Sequence, residues 1–480
     1  MSVATAPGAA AAHLDWWPLA VIGSAHLMAV LDTTIMFVAL PSIQQGLHMS
    51  VASRQWVVTA YTLALAGLLL LGGRLADRFG ARRTLIVGVI GFACASAVGG
   101  ASVDATMLIA ARAIQGAFGA VLVSSTKSLL VTVYREDSER TRVLGVFTAT
   151  LTAGLAVGLV LGGVITSELG WRWCLYLNII FSVFAVVGAP RVLPQLPRRP
   201  EIRIDAASVV FASAGMVGLV YGLGEAASDG WGAGQVVGSL IGAAILLGCF
   251  VARQVGHADR LLPLRVLSDR NRGLGMVALI VNAFSTFGMM LILTYQLQSV
   301  IGYSPLETGL ALVPFALGAA LGSAFVAPRL MRRIPARWLI SAAVVTEAAG
   351  LVPLIWLTAR SGYLPLVLVA TAVEGIGTGL AGPVTLSTAL RGVLRADAGA
   401  AGAATSAASQ LGSSVGAALF NTIAAIVTAG YLLAHPATSA AAAQVHGFNV
   451  AMIWGMAVLL AAAIPIALFV NIPRPAVKPG

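Results

Sequence analysis

The sequence predicts an all-α polytopic membrane protein with about fourteen spans. Three observations predict it. Of 480 residues, 58% are hydrophobic and only 10% charged, whereas a soluble domain carries about 25% charged residues. Apolar stretches of membrane-crossing length, about 20 residues, recur from end to end with short loops between them. Basic residues fall almost entirely in alternate loops, the bias that orients spans in a bilayer.

The spans are read in order from these apolar runs. Span one, 17–41, holds His26 and Asp32 and follows a short Ala-rich tail, 1–16. Span two, 55–73, ends at Gly73, and span three, 84–102, starts after the basic loop 74–83. Span four, 107–131, carries Arg112 and Lys127. In span five, 144–166, Gly154, Gly158 and Gly162, with Gly163, leave a smooth face for close helix approach. Gly170-Trp171-Arg172-Trp173 precedes span six, 174–190. Its tryptophans, with Trp56 and Trp231, read as interfacial anchors. Spans seven and eight, 206–223 and 234–252, flank the glycine-containing stretch 224–234. Spans nine and ten cover 273–297 and 308–327. Spans eleven and twelve, 338–358 and 363–387, contain Glu347 and Glu374 near their middles. Span twelve also has Gly375, Gly377, Gly379, Gly382 and Pro383. Gly402, Gly412 and Gly416 line span thirteen, 403–428, and span fourteen is 448–470.

With the N-terminus inside, the cytoplasmic loops and C-terminal tail hold 24 of the 29 Lys and Arg residues, and the opposite loops hold three, Arg54, Arg172 and Arg360. The net charge of +11 therefore reflects membrane orientation, and not the clustered patch of a nucleic-acid-binding domain. The three cysteines, Cys94, Cys174 and Cys249, form no CxxC pair, and they read as small apolar packers with no disulfide framework or metal site. No cleavable signal peptide is read at the N-terminus. No GxxxxGK[ST] phosphate loop occurs, so no ATPase engine and no cofactor are expected. No loop exceeds about 20 residues, and paired catalytic groups are absent, which argues against an enzyme. Work must come from an ion gradient or from the substrate's own gradient.

Charges inside a bilayer are functional candidates by default. Asp32 is a candidate proton-exchange site, and Arg112, a guanidinium suited to pairing with a membrane carboxylate, is its candidate partner in a switch. Glu347 and Glu374 have apolar or small neighbours in sequence and are candidates to bind protons or a cationic substrate. Asp32 is a third candidate substrate contact. Lys127 reads as a lysine snorkelling toward the cytoplasmic surface, and His26 as a packed histidine or a proton relay.

Several of these segments resemble, in order, the motifs of the major facilitator superfamily. Gly73-Arg74-Leu75-Ala76-Asp77-Arg78-Phe79-Gly80-Ala81-Arg82-Arg83 is similar to its signature loop. The stretch Leu31-Asp32-Thr33-Thr34 through Ala39-Leu40-Pro41 resembles the first span of the drug:proton antiporters with 14 transmembrane spans. Arg112-Ala113-Ile114-Gln115-Gly116 resembles the basic motif of span four. Gly154 to Gly163 is similar to the antiporter motif of span five, with Leu159 where that motif usually has proline. Trp171-Arg172-Trp173 followed by Leu177-Asn178 fits the same branch. The second-half loop Pro328-Arg329-Leu330-Met331-Arg332-Arg333 lacks the acid of the first.

The resemblance implies a major facilitator fold: two six-helix bundles, 17–190 and 273–470, with two extra helices in the linker 191–272, and a C-terminal tail, 471–480. It implies alternating access by a rocker switch and proton-coupled export of amphipathic, often cationic small molecules. A dedicated exporter of one antibiotic, siderophore or lipid would carry the same motifs. By position, Asp32 would be the protonation site and Arg112 the coupling arginine. Gly73, Asp77, Arg78, Gly80 and Arg82 would form a cytoplasmic gate, and the span-five glycines would seal the cavity. Protons, membrane lipids and a small-molecule substrate are the expected partners of a monomer in the bacterial inner membrane, with both termini cytoplasmic.

Overall fold

The computed structural model describes residues 15–49, 51–134, 137–195, 201, 204–256, 268–394 and 397–471. Among them the regular structure is helical, with no strand. The tail before Asp15, the loop segment 257–267 and the tail from 472 lie outside the described residues.

Six helices form the first bundle: α1 (Trp17–Gly46), α2 (Val51–Phe79), α3 (Ala81–Gly100), α4 (Ala105–Val133), α5 (Asp137–Glu168) and α6 (Trp171–Val192). Next come α7 (Ala206–Asp229) and α8 (Gly234–Gly256), which pack on each other, with α7 also against α2. The second bundle starts with α9 (Arg270–Tyr295), extended by a π-turn, Gln296–Ile301. The next span is broken into α10 (Pro305–Ala311), α11 (Val313–Leu321), a second π-turn (Gly322–Val326) and α12 (Ala327–Met331). Then follow α13 (Ala336–Leu351) with a 3₁₀ turn at Val352–Trp356, α14 (Leu366–Ala389), α15 (Ala398–Ala434) and α16 (Ala440–Phe469). Among the described residues thirteen helical segments are long and apolar enough to cross a membrane. The 32-residue α5 supplies the length for a fourteenth.

The two bundles repeat one packing plan. In the first, α2 and α3 lie on α4, α1 on α5 and α6, and α3 on α6; in the second, α11 and α13 lie on α14, α9 on α15 and α16, and α13 on α16. The bundles meet where α15 packs on α2 and α4, and where α5 packs on α11 and α14. One apolar core, around Leu85, Phe92, Leu122 and Phe147, continues across the interface to Met276, Leu279, Leu386 and Ala400, and the other, around Phe315, Ile340, Val344 and Phe420, lies within the second bundle.

Most helices outrun the spans expected from hydropathy, because a helix continues past the apolar run for as long as its backbone is satisfied. The largest departure is at 74–83, expected as a loop. Here α2 runs on to Phe79 and α3 begins at Ala81, so the turn is Gly80 alone, with φ +90°. Only glycine takes that conformation without strain. Gly230 (φ +84°) ends α7 in the same way, later than the expected end at 223. Span ten is broken where one helix was expected. Trp171 is buried, its indole so close to Gly46 that a Cβ there would lie 2.9 Å from Nε1. It is therefore a packing residue, while Trp56, Trp173 and Trp231 are exposed. All three cysteines are free, Cys174 buried and Cys94 and Cys249 exposed.

Candidate functional site

Two polar centres lie inside the bundles. In the first, Asp32 of α1 faces Arg112 of α4, and the guanidinium Nη1 donates to Asp32 Oδ2 at 2.6 Å. Gln115 Nε2, one turn along α4, donates to Asp32 Oδ1 at 2.8 Å, and Asn178 Nδ2 of α6 donates to the same oxygen at 2.7 Å. Both amides also donate to Ser96 Oγ of α3. Arg112 bonds the Val57 carbonyl through Nε and Gln115 Oε1 through Nη1, and stacks 4.3 Å from the Tyr61 ring centroid. Asp32, Arg112 and Gln115 are each 1% exposed. A buried carboxylate with one cation and two amide donors is charge-balanced and hydrogen-bonded, as a buried ion requires.

The sequence pairing of Asp32 with Arg112 thus matches the geometry. Gln115, Asn178, Ser96 and Tyr61 complete the centre and were not singled out as site residues, although Gln115 and Asn178 fall within the quoted motifs. A polar residue in an apolar span was the signal available for each.

The second centre differs in kind. Glu347 of α13 accepts a short hydrogen bond from Asn282 Nδ2, and Glu374 of α14 accepts from Ser285 Oγ at 2.6 Å; both donors are on α9. The other oxygen of each carboxyl has no hydrogen-bond partner among the described residues, and both residues are fully buried. Among the described residues no arginine or lysine pairs with either. Reciprocal glycines bring α13 and α14 together here. A Cβ on Gly377 would lie 2.8 Å from Glu347 Cγ, and one on Gly350 would lie 2.9 Å from Glu374 Cβ. Each glycine sits three residues after the glutamate on its own helix, so each helix makes room for the other's acid.

The residues expected to form a gate lie at one end of the interface between bundles. Asp77 accepts from the amides of Gly399 (2.7 Å) and Ala400 (3.1 Å), the open N-terminus of α15, with Arg74 3.8 Å away. Acids are favoured at such helix ends. Gly73 abuts Gly399 so closely that a Cβ on it would lie 2.7 Å from Ala403 Cβ. Arg82 turns instead to α6, donating to the Leu193 carbonyl at 2.9 Å and to Gln195. Arg78 stacks on its neighbour Phe79. So Gly73 and Asp77 cross the interface, Arg82 ties the turn to its own bundle, and the charged partner of Asp77 among the described residues is Arg74, beyond the expected gate set. On α5, Gly154, Gly158 and Gly162 pack against Leu27, Thr34 and Ile35 of α1, while Gly163 faces Leu306 of the second bundle at 3.6 Å from a built Cβ. The side chain of Leu159 lies outside the description. His26 bonds Thr126 Oγ1 at 2.8 Å and meets Phe147 edge-on. Among the described residues no group of His, Cys, Asp and Glu could hold a metal ion.

The chain matches the family model described as Major Facilitator Superfamily over residues 22–417. It is 42% identical to the puromycin resistance protein of Streptomyces alboniger over 94% of this chain and 90% of that one. Identity to the cephamycin export protein of Amycolatopsis lactamdurans is 39%, over 77% of each. Among solved structures, the human transporter MFSD10 superposes with a TM-score of 0.63 at 16% identity, over 92% of this chain and 99% of that one.

Proposed function

The chain belongs to the major facilitator superfamily and is a transporter, and from that premise we propose that it is a proton-coupled antiporter exporting amphipathic, often cationic small molecules. Its relatives, named for puromycin resistance and for cephamycin export, support export of antibiotic-like compounds. The observation that supports coupling to protons is the Glu347–Glu374 centre, two buried carboxyls with unpartnered oxygens and no cation beside them. Two like charges at close range in a low-dielectric site cannot both persist, so the centre holds protons or exchanges them for a cation.

Asp32 and Arg112 act as a switch in this scheme. Protonation of Asp32 weakens its hold on Arg112 and frees α4 to move relative to α1. Gly73, Asp77 and Gly80, with Arg78 and Arg82 holding the turn, close the cytoplasmic end by binding α15. The glycine face of α5 lets α1 slide. The two bundles, 17–190 and 273–470, rock about the central path, with the helices of 191–272 as an insertion. The basic end faces the cytoplasm, both termini lie there, and the monomer sits in the bacterial inner membrane.

A dedicated exporter of one compound is the second reading, favoured by relatives each named for a single antibiotic. Both are tested by efflux of ethidium from cells or everted vesicles under an imposed proton gradient. Uncoupler-sensitive efflux that is lost in Glu374→Gln supports the first reading. No efflux of ethidium or unrelated dyes from inserted protein leaves the second.

A further inference from the structure

We propose that Lys127 is a substrate-binding residue that recognises an anionic group, a carboxylate or phenolate, on the transported molecule. The proposal rests on the chain being a transporter and not on its coupling to protons.

Depth is the first observation. The neighbouring Thr126 bonds His26, and His26 lies nine residues into α1, about 14 Å at 1.5 Å per residue. That places Lys127 inside the hydrocarbon region, one helical turn past the contact of Gly399 with Asp77 at the end of the bundle interface. Direction is the second. A Cβ built on Gly402 of α15 would lie 3.0 Å from Lys127 Cβ, so the lysine leaves α4 toward the second bundle. Neighbouring positions of α4 face elsewhere: Thr126 bonds His26 of α1, and Ser124 bonds the Leu69 carbonyl of α2. A lysine snorkelling through lipid, as the sequence suggested, would leave from another face. In addition, helical side chains lean toward the helix N-terminus, which for α4 is away from the basic end.

The third observation is that the ammonium has no hydrogen-bond or ion-pair partner among the described residues, and the side chain keeps part of its surface accessible. Two acids on the packed helices are engaged elsewhere. Asp32 is held by Arg112, Gln115 and Asn178, and Asp77 by Arg74, Gly399 and Ala400.

An ionised side chain at this depth is costly unless it pairs or lines a water-filled cavity. Lys127 has no partner among the described residues, and it stands where the two bundles meet. That is where transporters of alternating-access design hold their cargo. The group that best satisfies an ammonium there is an oxyanion, through a charge-assisted hydrogen bond.

The test is equilibrium binding to protein in phosphatidylcholine nanodiscs, with three ligands sharing one hydrophobe: 1-pyrenebutyrate, its methyl ester and 1-pyrenebutylamine. Wild type should bind the acid about ten- to hundredfold more tightly than the ester, the worth of a hydrogen bond to a charged group. Lys127→Met should erase that preference without weakening the ester, and Lys127→Arg should retain it. Equal affinity of wild type for acid and ester, no binding of any of the three, or equal loss of all three ligands in Lys127→Met would each overturn the proposal. So would a need for Lys127 in binding phosphatidylglycerol but not pyrenebutyrate. If Lys127→Met does not fold, the wild-type acid-to-ester ratio and Lys127→Arg still decide. No gradient is applied, so failure of proton coupling leaves this readout intact.

Discussion

Replacing Asp32 by asparagine should be severe, and the structure says why. The carboxylate accepts at both oxygens, from Arg112 at Oδ2 and from Gln115 and Asn178 at Oδ1. An asparagine has one acceptor oxygen, so in either orientation its NH₂ faces a donor. If it faces Arg112, a guanidinium 1% exposed loses its only carboxylate. Removing one partner of a buried ion pair costs about 3–5 kcal/mol. The assay is unfolding by steric trapping of wild type, Asp32→Asn, Arg112→Gln and the double variant. The double variant should cost less than the sum by about 1–3 kcal/mol, because the pair is removed once. Asp32→Asn within 1 kcal/mol of wild type, or strict additivity, would refute the reasoning. Where enough protein inserts, Asp32→Asn should also abolish pH-driven transport, and undiminished transport would remove Asp32 from the coupling scheme.

Glu374→Gln should impair efflux of cationic substrates more than neutral ones, while equal loss of both would assign it a proton or structural role. Gly399→Ala would place a Cβ 2.5 Å from Asp77 Oδ1 and 2.8 Å from its Cγ. Overpacking of about 1–3 kcal/mol should open the basic end and speed maleimide labelling of a cysteine at Ala403 about fivefold or more, in a background lacking the exposed Cys94 and Cys249. Unchanged labelling would show that this contact does not hold the end closed. At the start of α7, hydrogen bonds from Arg253 and then from the Ser208 hydroxyl hold the Asp205 carboxyl well below its usual range. Its contribution is therefore present in full above about pH 4, the ordinary carboxylate value, and lost only as pH falls through the depressed one. Hydrogen exchange at the α7 N-terminus should be insensitive to the state of Asp205 between pH 5 and 8 in wild type, and faster in Asp205→Asn at every pH in that range.

Much of the architecture was legible because bilayer and backbone impose simple rules on composition. Apolar runs place the helices, and each of the fourteen expected spans coincides with helical structure. Asp32 and Arg112 could be paired because each was a costly charge with one obvious remedy. Gln115 and Asn178 were harder to find, since a neutral amide in a span has many possible partners and only the fold brings three helices to one carboxylate. The same limit applies to Lys127. Its sequence neighbourhood suits snorkelling, and only the approach of Gly402, 275 positions away in sequence, shows which way it leaves the helix. The turn at Gly80 was hidden because charge, taken as the sign of a loop, is equally compatible with a helix end at a membrane surface.

The interruptions described in the fold are unevenly shared. Helices α1 to α6 run unbroken through the first bundle, whereas the second has π-turns at Gln296–Ile301 and Gly322–Val326 and a 3₁₀ turn at Val352–Trp356. Each interruption shifts the i→i−4 ladder and leaves a place where a helix bends at little cost. Mechanical compliance is thus concentrated on one side. The first bundle is the stiffer of the two, and any relative motion of the halves is taken up by bending in the second.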